Sequence, residues 1–156
     1  CKRWLSRSAS PAPRVLTLEW IDPAMVGGTW MPELVSIAGG QPLVTRPGEK
    51  SPTMTADELA RLDPAPEIVL VKPCGFTIPR IVKDADWLSG LLAEMPWPAV
   101  RERRVFIADG NAYFNRPGPR LVDSLEILAA CIHPNAFADL AQRHAAAFRR
   151  FGVRHR

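Results

Sequence analysis

The sequence predicts an α/β domain on a mostly parallel sheet, because short β-branched runs alternate with stretches of helical period and clustered prolines separate them. The chain is also long enough to bury its own core: 156 residues, 47% hydrophobic and 23% charged, need no disulfide or metal staple. No apolar run reaches the roughly 18 residues of a membrane helix. Eleven of the 16 prolines gather at Pro11/Pro13, Pro42/Pro47/Pro52, Pro64/Pro66, Pro96/Pro98 and Pro117/Pro119, and punctuate the chain there.

Taken in order, residues 15–19 (VLTLE) read as a strand. Residues 31–38 read as a helix with Leu34, Ile37 and Ala38 on one face, stopped by Gly39-Gly40. Leu43-Val44 suggests a short extra strand. Thr55-Ala56-Asp57-Glu58 is a capping box, in which hydroxyl and carboxylate satisfy the orphan amides of a helix reaching Leu62. Residues 68–71 (IVLV) suit a strand buried on both faces. A helix over 78–92 has Ile81, Val82, Leu88, Leu91 and Leu92 as its apolar set, and 104–107 gives a third strand. Residues 119–132 place Leu121, Leu125, Leu128 and Ile132 at helical spacing, and 136–151 read as an alanine-rich helix ending in arginines. Such alternation implies right-handed crossovers, with ligands bound where loops leave the carboxyl ends of the strands. Those loops are 20–30, 72–77 and 108–119.

Charge narrows the partners. The formal net charge is +4, yet residues 1–14 and 140–156 hold nine basic groups and no acid, leaving 15–139 at −5. The basic ends have no aromatic platform or groove-reading motif, so no nucleic-acid partner is expected. Cys1, Cys74 and Cys131 form no CxxC and share no ligand spacing with His133, His144 and His155, so no metal site is expected. The absent initiator Met and leader leave the compartment open, cytoplasmic included; a chain starting at Cys1 also fits a lipid-anchored mature end.

The three loops hold the unusual residues. In the first, Trp20 and Trp30 offer flat contact area for a planar or macrocyclic ligand, or serve as packing aromatics. Gly27-Gly28 permits close backbone approach but completes no dinucleotide fingerprint. In the second, Cys74-Gly75 exposes amides and Phe76 projects into a cleft. Cys74 as a nucleophile needs a base, and no histidine is near in sequence; a small residue in a tight turn is the preferred reading. In the third, Asn111, Tyr113, Phe114, Asn115 and Arg116 suit a neutral ligand rich in amides, while Asp109-Gly110-Asn111 also makes a turn. Neither paired carboxylates nor a Ser/His/Asp set accompanies them, so no enzyme is expected.

The segments LEWIDP…GGTWMPELVSIAGG, PCGF and VFIADGNAYFNRPGPRLVDSLEIL together resemble the carboxy-terminal lobe of cobalamin-binding proteins. These are class III solute-binding proteins of ABC importers, whose relatives bind iron siderophores and haem. The resemblance spans about 14–137, with 1–13 as linker or end of a connecting helix and 138–156 as a basic helical tail. It implies a three-layer, Rossmann-like lobe that binds a ligand and catalyses nothing. Cobalamin is then the transported ligand rather than a cofactor, and no cofactor is expected. The implied contacts are Trp20, Asp22, Trp30, Gly75, Phe76, Asn111 and Tyr113. Tyr113-Phe114-Asn115-Arg116 stands where the family has Trp-Phe-Glu-Arg, so Asn115 replaces a carboxylate that docks on the permease. The implied partners are that permease and a missing amino-terminal lobe, in the periplasm or at a lipid-anchored surface, with truncation as the reason for the missing lobe. A siderophore or haem binder on the same fold and a small α/β enzyme using Cys74 are the alternatives.

Overall fold

The computed structural model describes residues 11–153; Cys1, the rest of the first ten residues, and Arg154, His155 and Arg156 lie outside them. Its strands are β1 (Arg14–Ile21), β2 (Ala24–Val26), β3 (Gln41–Pro42), β4 (Thr53–Met54), β5 (Ile68–Val71), β6 (Val105–Ala108) and β7 (Phe148–Arg150). Its helices are α1 (Met31–Ile37), α2 (Ala56–Ala60), α3 (Ile78–Lys83), α4 (Ala85–Ala93), α5 (Pro98–Arg101), α6 (Leu121–Ile132) and α7 (Ala138–Arg143), with a π-helical turn at Gly110–Phe114. The sheet runs β4-β2-β1-β5-β6-β7, and β3 pairs with the start of β1. Pairs β1–β3, β1–β5 and β5–β6 are parallel, while β2, β4 and β7 add antiparallel margins. The mixed sheet is thus parallel at its centre and flanked by helices, as the α/β pattern predicts.

Residues alternate between two cores. Val15, Ile68, Leu70, Phe106 and Ala108 face α1 and α6 on one side. Leu16, Leu18, Val69, Val71, Val105 and Ile107 face the other, with Ile81, Leu88, Leu92 and Trp97. Burial on both faces explains why β5 and β6 carry no polar residue. The capping box forms as read: the Thr55 hydroxyl accepts from the Glu58 amide, and the Glu58 carboxylate accepts from the Thr55 amide.

Four elements differ from the sequence expectation. The first loop is partly a hairpin, since β1 runs on to Ile21 and β2 returns against it. The short extra strand lies at Gln41–Pro42 instead of Leu43-Val44, where Val44 takes φ +75. The helix expected over 78–92 breaks at Asp84 into α3 and α4. The helix expected over 136–151 stops at Arg143, and Phe148–Arg150 becomes β7, antiparallel to β6. A helix would set Phe148 and Phe151 on one face. The strand instead sends Phe148 into one core and Phe151 against the other. Leu140, Ala147 and Phe148 thereby belong to the main core, so the described part of 138–156 is no separate helical tail.

Candidate functional site

Three loops meet at the carboxyl ends of β1, β5 and β6, and backbone contacts lock them together. The Cys74 amide donates to the Glu19 carbonyl (2.9 Å), and the Asn111 amide to the Phe76 carbonyl (3.2 Å). A side chain at Gly110 would overlap the Pro73 carbonyl, so only glycine lets the second and third loops pack this closely. Asp109 caps the π-helical turn, its Oδ1 accepting from the Ala112 amide at 2.8 Å. The turn ends in Phe114, which is buried in the α6-side core.

Under these loops lies Lys72, 1% exposed, with Nζ 3.2 Å from Glu19 Oε2 and 5.9 Å from the centroid of the Phe114 ring. Glu19 also accepts from the Ser51 hydroxyl. Burial pushes the Lys72 ammonium below its usual pKa, and the Glu19 carboxylate opposes that shift. Burial likewise raises the Cys74 thiol, against the pull of Lys72. Burial thus favours the protonated form of the Cys74 thiol.

The sequence-predicted contacts divide between the two faces of the sheet. Trp20, Asp22 and Phe76 line one hollow of about 280 Å³, together with Ile21, Asp84 and Trp87. Trp20 and Phe76 meet edge to face, with centroids 5.3 Å apart. The indole of Trp20 donates to the Asp22 carbonyl at 3.0 Å. Gly75, at φ +76, turns the loop that delivers Phe76. Trp30 and Tyr113 lie across the sheet, packed against the α6-side core. Trp30 opens α1, and its Nε1 is buried without a partner among the described residues. Tyr113 stands between the Arg120 guanidinium (5.8 Å) and the ring of His144 (6.3 Å). Asn111 is exposed and joins the loops through its backbone, and Asn115 is half-buried at the end of the π-helical turn. Gly27 and Gly28 are packed against Thr17 and residues 49–51, so their closeness serves the fold and leaves no approach for a ligand.

Sequence reasoning missed Lys72, Asp84 and Trp87. Trp87 had a legible sign: a tryptophan left outside the apolar set of its own helix. His144 also proves less isolated than its sequence position suggests. Its Nε2 lies 2.7 Å from Glu126, which also takes Arg143 at 3.1 Å on both oxygens. Asp123 completes a trio with donor atoms within 4.8 Å of one another. A second hollow, about 710 Å³, lies at the amino end of β6 with Arg101, Arg103, Arg149 and Arg150 in its lining, at the opposite end of the sheet from the loops.

The arrangement can be compared with solved structures. A periplasmic haem-binding protein from Pseudomonas aeruginosa matches at 26% identity and TM-score 0.65, over 86% of this chain and 48% of its own. An ABC transporter substrate-binding protein from Listeria monocytogenes EGD-e matches at 20% identity and TM-score 0.67, over 86% and 52%. The periplasmic vitamin B12 binding protein of Vibrio cholerae matches at 19% identity and TM-score 0.60, over 84% and 48%. The chain shares the fold of about half of each of these binding proteins. It spans about half the length of the structures it matches. No protein-family model and no curated protein matches it. On this lobe the hollow opens beside the loops at the strand ends, where an α/β sheet offers a ligand its backbone amides and side chains. Among the described residues no helix is long and apolar enough to cross a membrane.

Proposed function

We propose that the chain is the carboxy-terminal, ligand-binding lobe of an ABC-importer solute-binding protein, with cobalamin or a related tetrapyrrole as transported ligand. The observation that carries this reading is the aromatic hollow of Trp20 and Phe76 at the strand ends of a lobe fold. Half-exposed aromatics meeting edge to face suit a large flat ligand whose other side is covered by a second lobe. That lobe, an importer permease and a periplasmic or lipid-anchored setting belong to the same proposal. The chain acts as a binder and not as an enzyme, which the raised Cys74 thiol supports. Iodoacetamide should modify Cys74 no faster than a simple thiol.

Cobalamin titrated into the chain should quench tryptophan fluorescence after correction for its own absorbance. Trp20→Ala and Phe76→Ala should each weaken that response at least about fivefold. Absence of quenching at high micromolar cobalamin removes cobalamin binding by this chain. Haem is the second reading, favoured by the 26% identity to a haem-binding structure. A shifted Soret band on haem addition, with no cobalamin response, selects it; ferric siderophores serve as the third ligand in the same series.

A further inference from the structure

We infer that the hollow walled by Trp20, Phe76 and Trp87 and rimmed by Asp22 and Asp84 is a subsite for an alkylammonium group. Its volume, about 280 Å³, is slightly below the roughly 300–1,000 Å³ of pockets that enclose a whole ligand, so it suits one group of a larger molecule. Trp87 is 42% exposed, an unusual state for the largest apolar side chain, and it stands beside two other rings. Aromatic faces attract cations through their quadrupole, most strongly when carboxylates stand nearby.

The protein already uses this chemistry at the same place. The Arg80 guanidinium lies 5.2 Å from the Phe76 centroid, and its Nε is 3.5 Å from Asp84. A ring and a carboxylate of this hollow therefore hold a cation from outside it. Arg80 offsets the charge of Asp84, whereas the exposed Asp22 carboxylate has no ion-pair partner among the described residues. The rim stays net negative, which repels carboxylates and attracts ammonium. The Trp20 indole N–H is already engaged by the Asp22 carbonyl, so Trp20 offers the hollow its ring and no free donor.

The inference rests on reading this mouth as a ligand face, and its test is independent of tetrapyrroles. Choline and its uncharged isostere 3,3-dimethyl-1-butanol are titrated separately into the chain by saturation-transfer NMR. Choline should bind at least about fivefold more tightly than the isostere. Asp22→Asn should abolish most of that preference, and Trp87→Ala should weaken choline about fivefold, with circular dichroism and melting showing both variants folded. Equal binding of the two compounds, or choline binding unmoved by both substitutions, overturns the subsite. Cobalamin quenching without choline preference removes the subsite and keeps the binding reading. Choline preference without tetrapyrrole binding keeps the subsite and removes the tetrapyrrole as ligand.

Discussion

On one face of the sheet Trp20, Phe76 and Trp87 surround a hollow, whereas on the other Trp30 and Tyr113 are packed against the core that holds Phe114. Trp20 and Trp30 bound the same loop, and in sequence they look alike. The difference comes from what each helix brings. On the α6 side, α1 and the π-helical turn lay Met31 and Phe114 under the aromatics, which become part of the core. On the α4 side, the break at Asp84 places Trp87 beside the loop without covering it. Residue type alone does not decide whether an aromatic joins the core or borders a hollow; the elements packed beside it do.

Substitutions can break or sharpen this contrast. The largest effect is expected between the faces, at Gly110→Ala. The new methyl would overlap the Pro73 carbonyl, which is backbone and has no rotamer to yield, so urea unfolding should show a loss of about 3 kcal/mol or more. Next comes Trp30→Ala, which removes a half-buried side chain from the core margin and should cost about 2 kcal/mol in the same assay. Glu126→Gln tests the His144 contact near Tyr113. The hydrogen bond from His144, aided by Arg143, holds the Glu126 carboxyl below its ordinary pKa. Its stabilisation is therefore complete above about pH 5, just over the ordinary carboxylate value, and lost as pH falls through the lower folded value. The variant should lose about 1 kcal/mol at neutral pH and show a flatter acid limb in its stability–pH curve. Trp87→Ala should be the smallest, within about 0.5 kcal/mol, because the side chain is exposed and belongs to neither core. A large loss at Trp87 and none at Trp30 would reverse the assignment of the two faces.

The central fold was legible because it rests on local rules. The runs at 15–19, 68–71 and 104–107 sit in parallel strands, and the capping box opens α2 as its residues dictate. The misread elements depend on partners distant in sequence. Residues 148–150 become strand through pairing with 106–108, a choice that an alanine- and arginine-rich segment does not announce. The site was half legible. Of the residues the resemblance implies, Trp20, Asp22 and Phe76 meet in one hollow, whereas the start of α1 and the π-helical turn set Trp30 and Tyr113 on the far face. Lys72 was passed over because its meaning depends on Glu19, 53 residues away.

The short margins of the sheet have a consequence of their own. At one edge β4 offers two residues, and at the other β7 offers three, two of them the exposed Arg149 and Arg150. Exposed strand edges are templates on which another chain can add and start aggregation. Here each template is short, and on β7 a second copy of the same edge would bring arginine against arginine. The positive charge of Arg149 and Arg150 thus opposes pairing of two copies along this edge.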